Sequence, residues 1–490
     1  LNLQNALHRP RALPLFAVAM TVIVALASLA IGQHIGKSGL TYQDLVVAAV
    51  ALGIAIIALQ QRGLEIGFTI WIGMFALGYR VARINVPVLV DLVAGGGLGT
   101  DYLTTHVTTQ IVLHPLVVIM FGLFLLLSIQ RATAARPAIA WRWPPLLLLF
   151  SLFWITGWVE GVNYGIFWND MWRELQNFVL IFPVFWVTAH ILQKDGAWRS
   201  VVIAFYAVAT LIALLGLVEY VFPGIRTIIP GYILTTGDLV LVAQDGFERA
   251  RFSFWGAPNA IFVTVLAMPL VVILWVWNKR QSVRLIIIAA LLIQIIGIYI
   301  AGWRSIWVLC LGIVIAMLSI RRRWFYLFGL ITCVFIGYNL LPDIAHERLE
   351  TLLSAAQGNF HDTSSLKRVH RIEDALREAF DTPMGLGWSG SGWVHNDFLQ
   401  VTANLGVIAG LLFLAWYGRT LYAIWRLFEQ TRDTLVFALV GCFLFAGGLL
   451  FAQNMIVLPQ NVFPLWFVWA MVETRLNLAR QPETFQYGSR

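Results

Sequence analysis

The chain has 490 residues, 59% of them hydrophobic and only 12% charged, with a mean hydropathy of +0.79 and a net charge of +8. A soluble domain is about one quarter charged, so that class is excluded. An outer-membrane barrel is excluded too, because its strands alternate polar and apolar residues over about 10 positions and these apolar runs are continuous. The composition implies an all-α polytopic membrane protein whose spans need about 20 apolar residues each. In chain order, spans are predicted at 12–32, 41–60, 64–81, 111–129, 145–160, 174–192, 200–221, 258–277, 283–301, 305–320, 324–341, 402–424, 433–456 and 462–477, about 14 segments. Pro14, Pro183, Pro269 and Pro464 lie in or beside spans, where neighbouring helices satisfy the carbonyl a proline frees. Cys310, Cys333 and Cys442 all sit in apolar runs, as small hydrophobes and not as a disulfide or metal set. The first apolar run is followed by many more, so no cleavable signal peptide is expected.

Charge sets the topology. With the first residue cytoplasmic and the spans alternating, one side collects 20 of the 33 basic residues and only 6 of the 25 acids. That bias in short loops is the positive-inside pattern, and it places both termini in the cytoplasm. Anionic headgroups account for the basic excess, so no nucleic-acid partner is needed. Three longer segments fall on the outer side: 82–110, 222–257 and 342–401. The chain thus divides into a bundle over 1–341, a large outer loop over 342–401 and further membrane segments over 402–480. Within the loop, 344–357 and 366–380 repeat apolar residues at helical spacing (Leu366, Val369, Ile372, Ala375, Leu376, Ala379), which predicts amphipathic helices at the interface. Asp381-Thr382-Pro383 ends the second of them.

The residues with chemical potential are also mostly outside. His395 follows a glycine-rich turn (Gly385, Gly387, Gly390, Gly392) and precedes Asn396-Asp397 and a span. A histidine at a membrane edge can take a proton from an attacking hydroxyl; the structural alternative is a loop-holding hydrogen bond. Arg368 and Arg371, at i and i+3 on one helix, are neighbours suited to a diphosphate, or else to Glu373, Asp374 and Glu378. Arg304 interrupts an apolar stretch at Gly302-Trp303-Arg304-Ser305, where an arginine is costly unless it meets an anion or snorkels. Arg251 lies in RFSFWGAPN just before a span, with Pro258 suited to a helix start and Asn259 to a local cap or contact. Trp168 and Asp170, in NYGIFWNDMWRE, fit either a sugar-binding surface or an interfacial aromatic belt. No zinc, Walker A, nucleophile-elbow or dinucleotide motif is present, so chemistry without a metal or cofactor is favoured.

Four stretches resemble the O-antigen ligase and Wzy-type polymerase superfamily of bacterial inner-membrane glycosyltransferases: RFSFWGAPN (251–259), AGWRSIW (301–307), SLKRVHRIEDALREAFDTPMGLG (365–387) and VHNDFLQVTANLGVIAG (394–410). They cover roughly the second half of the chain; the first half agrees only in being multi-spanning. The resemblance implies a GT-C-like helical bundle and an inverting, metal-independent reaction on the periplasmic face. The donor would be an undecaprenyl-diphosphate-linked glycan, and the acceptor another glycan or lipid A core, with polysaccharide-assembly proteins as further partners. By the same resemblance, His395 would be the general base, or the group orienting the acceptor hydroxyl. Arg251, Arg304 and Arg368 would hold the diphosphate. From the residues alone, Arg371 joins them as the helical neighbour of Arg368, and Asn259, Asn396, Asp397, Trp168 and Asp170 are candidates for acceptor or structural roles. His370 departs from the family pattern, in which an aromatic-led helix is common. Two other classes share a multi-spanning composition: a transporter of a lipid-linked or small anionic substrate, and a non-catalytic scaffold. A transporter would place its charges on broken helices at the midplane.

Overall fold

The computed structural model describes residues 84–86, 111–113, 124, 141–166, 168–193, 196–222, 261–320, 350, 363–392, 394–453, 455–456 and 459–480. The predicted spans 12–32, 41–60, 64–81 and 324–341, most of 111–129, the loop 222–257 and the helix 344–357 lie outside them, as do Arg251 and Asn259 and the side chains of Trp168 and Asp170.

Thirteen α-helices make up the described architecture: α1 (Pro145–Asn163), α2 (Trp168–Val179), α3 (Ile181–Leu192), α4 (Ala197–Val221), α5 (Ile261–Ala267), α6 (Val271–Trp277), α7 (Gln281–Ile300), α8 (Arg304–Ile320), α9 (Thr363–Asp381), α10 (Asp397–Leu405), α11 (Val407–Thr431), α12 (Thr434–Ala452) and α13 (Pro459–Ala479). One short antiparallel pair, β1 (Ile84–Val86) with β2 (Ile111–Leu113), joins the two ends of the predicted 82–110 loop. It is a small departure from an all-α reading, and it takes the first residues of the span predicted at 111–129.

The chain is a multi-pass, largely α-helical membrane protein. Six described helices are long and apolar enough to cross a bilayer: Pro145–Asn163, Glu174–Leu192, Ala197–Val218, Gln281–Ile300, Val407–Thr431 and Thr434–Ala452. Their outward faces are apolar, as expected of a surface that meets hydrocarbon. On α1, Leu147, Phe150, Trp154, Gly157 and Gly161 turn inward while Leu152, Ile155 and Val159 are exposed; on α7, Leu285, Ile286 and Leu292 are exposed in the same way. Two apolar segments are shorter, Ile261–Trp277 and Arg304–Ile320. The first is divided at Met268–Leu270 into a 3-10 turn around Pro269, because proline removes a helical donor.

The helix predicted at 462–477 has a different place. α13 contains Pro464, Glu473 and Arg475, yet Phe463, Trp466, Phe467, Trp469, Met471 and Val472 are all buried. It packs against α3, α5, α11 and α12 as the central rod of the bundle. Trp416 of α11 stacks on Trp469 with ring centroids 4.0 Å apart, and Phe413 and Trp466 extend the aromatic core. Around it, α4 meets α7 where Gly297 lies against Ala213, a close approach of small residues typical of helix pairs in lipid.

Two ends of the bundle are defined by the contacts. At one, Arg475 pairs with Asp433 at 2.7 Å and Asn477 reaches the Arg142 carbonyl; the turns carrying Lys279, Arg280 and Arg432 connect helices at this same end. The opposite end gathers the turns after α1, α7, α9 and α12. His395 and Arg304, among the described candidates, lie at this end.

Candidate functional site

α9 stops where the sequence predicts. Thr382 donates its N–H to the Glu378 carbonyl (2.8 Å), its hydroxyl donates to the same oxygen, and Pro383 cannot continue the helix. The chain then wraps the end of α10. Leu386 N–H donates to Ala403 O and Gly387 N–H to Asn404 O, both at 2.9 Å, while Val407 N–H donates to Pro383 O at 3.1 Å. Gly406 has φ 94°, which divides α10 from α11, so the long helix starts at Val407 and not at 402. Gly387, at φ 87°, lies directly on the Gly161 backbone of α1. Next to it Trp388, fully buried, donates its indole N–H to Trp154 O and its backbone N–H to Gly157 O, both at 3.0 Å.

A polar brace fixes the turn from Ser389 to Val394. The Glu174 carboxylate of α2 accepts from the Ser389 N–H (2.6 Å), the Ser389 hydroxyl (3.0 Å) and the Asn404 amide (2.9 Å). Asn404 in turn accepts from Ser391 N–H, and Gln400 accepts from Val394 N–H while donating to the Ser391 hydroxyl. Glu174, Ser391, Gln400 and Asn404 are all buried, so each of these bonds replaces a lost contact with water. None of the four was singled out from the sequence. The available signal was Glu174 itself, a carboxylate opening an apolar span, which is costly unless satisfied.

Swapping one atom type tests the brace. Glu174→Gln presents an NH2 to the Asn404 NH2, and flipping Asn404 would forfeit the bond from Ser391. Leaving buried donors unmatched costs about 1–3 kcal/mol, so the thermal midpoint of the purified variant falls. Adding Asn404→Asp restores the donor and acceptor complement, and the double variant recovers most of the loss; no recovery would contradict the bonding described.

His395 emerges from this brace with φ 58°, a left-handed conformation uncommon outside glycine. Asn396 caps α10 by accepting from Leu399 N–H at 3.1 Å. Asp397 is fully buried and accepts from Met455 N–H at 2.7 Å and Ile456 N–H at 3.2 Å. Burial pushes its carboxyl well above the ordinary range, and these two bonds oppose that. The residues considered for acceptor or structural roles, Asn396 and Asp397, thus both perform structural work. The 453–456 turn that Asp397 holds also reaches Arg304's neighbour, since Gln453 donates to the Ser305 hydroxyl at 2.7 Å, and Asn177 donates to Ile456 O. Arg304, at the first position of α8, therefore stands at the same end of the bundle as His395.

α9 presents Arg368 to this site. Arg368, Ile372, Ala375 and Ala379 share one helical face, on which Ala379 is buried and Ala375 packs with Val394 and Ala403. The His395 imidazole is held down to about 4, first by burial and then by the charge of Arg368. Arg371 diverges. It is exposed, and its charge acts on Glu378, whose carboxyl is raised by burial and by Asp374 and lowered by Arg371. His370 is exposed as well and lies 3.4 Å from Glu373. Among the described residues no group of three His, Cys, Asp or Glu is placed to hold a metal ion.

The sign of the His395 shift fixes its pH behaviour. A histidine whose folded-state value is depressed contributes stability above its unfolded value of about 6.5, and that contribution is lost as pH falls through about 4. The ring is thus neutral across the physiological range.

The sequence matches no protein-family model and no curated protein.

Proposed function

We propose that the chain is an inverting, GT-C-like membrane glycosyltransferase of the O-antigen ligase and polymerase type. It moves a glycan from undecaprenyl diphosphate to an acceptor on the periplasmic face of a bacterial inner membrane, with both termini cytoplasmic. One observation carries the reading: a neutral histidine in a left-handed turn lies within the field of Arg368, at the same bundle end as Arg304. Candidate charges at a bundle end, and not on broken helices at the midplane, suit chemistry at a headgroup layer better than passage through the membrane.

In the proposed step an acceptor hydroxyl oxygen attacks C1 of the donor sugar. The C1–O bond to the diphosphate breaks, its electron pair leaves with the diphosphate, and His395 takes the hydroxyl proton. Arg368 and Arg304 stabilise the departing charge, and Arg251 is assigned to the same task from the sequence resemblance. The dianion also raises the proton affinity of His395, because it counters the Arg368 charge that depresses it. The acidic limb of kcat/KM, which reports the free enzyme, is accordingly expected near pH 4, with the limb of kcat at higher pH. Arg368→Gln moves the kcat/KM limb upward yet short of 6.5, since burial remains the larger cause.

The reading is tested with the purified chain in liposomes and a labelled polyprenyl-diphosphate glycan, omitting candidate acceptors one at a time. Chain extension by donor alone identifies a polymerase, and a requirement for lipid A core identifies a ligase. A donor left intact with every acceptor removes the proposal.

A further inference from the structure

α9 has a third face that neither its packing nor its charges account for. Leu376 and Phe380 lie one turn apart, and Met384 comes just past the helix end; they are 40%, 79% and 53% exposed. Glu373 borders this edge, and Lys367, His370, Arg371, Asp374 and Arg377 occupy exposed positions farther round the helix. An isolated exposed apolar residue needs no explanation, but a contiguous edge does.

Its continuation identifies what covers it. Val407 N–H bonds to Pro383 O, and Gly406 packs against the Met384 backbone, so the edge runs directly onto the first turns of α11. There Ile408 and Leu411 are 57% and 60% exposed on one of the helices long and apolar enough to span the bilayer. Exposed apolar residues thus flank the backbone contact on both sides, on a membrane-spanning helix and on α9. We infer that the Leu376–Phe380–Met384 edge of α9 is inserted into the outer part of the lipid leaflet, as an interfacial helix with its basic and acidic residues toward water.

This gives α9 two simultaneous contacts. The face bearing Arg368 closes on Ala403 and the His395 turn, and the adjacent edge enters the lipid, so Arg368 and His395 are held at headgroup depth. An amphiphile with an anionic headgroup would meet them without leaving the bilayer. The placement of the edge stands or falls independently of the transfer reaction.

Site-directed spin labels test it on the full chain in liposomes, with Cys310, Cys333 and Cys442 replaced by alanine. Labels are placed at Phe380→Cys and, as a second probe, Met384→Cys. References are Leu411→Cys on the spanning helix and Asp374→Cys on the polar side of α9. Inserted positions collide with oxygen several-fold more, relative to a water-soluble nickel chelate, than Asp374 does, and so match Leu411. A ratio equal to that of Asp374 at both probes overturns the inference, as does a label shielded from both reagents, which would mean that protein and not lipid covers the edge.

Discussion

His395→Ala is expected to lower transfer by about 10²–10⁴-fold, the range a positioned general base contributes, while the protein stays folded and inserted. The second half of that expectation comes from the bonding around the residue. The turn is held by bonds of Glu174, Ser391, Gln400 and Asn404, and the next helix by Asn396 and Asp397, none of which involves the imidazole. Alanine still meets the left-handed backbone, at a cost of about 1–2 kcal/mol, which His395→Asn reduces because asparagine tolerates this conformation. Both variants should therefore lose turnover while His395→Asn keeps the wild-type thermal midpoint. Full transfer by either would remove the proton-accepting role. Equal loss of folded protein in both would assign the residue to structure instead.

The second large effect is expected at Gly387. A Cβ there would run into the Gly161 backbone, and its φ of 87° is left-handed. Steric overlap of this kind costs about 1–3 kcal/mol and the dihedral about 1–2 kcal/mol for a residue with a side chain, so Gly387→Ala loses about 2–5 kcal/mol. Gly165 separates the two terms. Its φ is 70° but nothing lies within 4 Å of the added carbon, so Gly165→Ala bears the dihedral cost alone. Thermal midpoints in detergent should rank wild type, Gly165→Ala and Gly387→Ala in falling order. Equal midpoints for the two variants would mean that the glycine turn is not seated on α1.

The membrane class was legible because it rests on apolar run length, which is local. The helix over 366–380 and its stop at Asp381-Thr382-Pro383 were legible for the same reason. Residues 402–405 were read as the start of a span because they run directly into the apolar stretch that follows; the positive φ of Gly406 reveals that they close a separate helix. The stretch 453–456 likewise reads as the end of a span, yet it is a turn held by Asp397. Glu174 and Asn404 lie 230 positions apart and form one brace, a juxtaposition that no local pattern encodes. Arg368 and Arg371 were indistinguishable by spacing, and they separate only when the packed face is known: the charge of Arg368 acts on His395 and that of Arg371 on Glu378.

The anomeric configuration of the new linkage tests the account most directly. With the reconstituted chain and a donor of defined anomer, product NMR should show inversion, with one polyprenyl diphosphate released for each bond formed. A single displacement assisted by His395 requires that outcome. Retention of the donor's configuration, or a new linkage formed without release of the diphosphate, would contradict it.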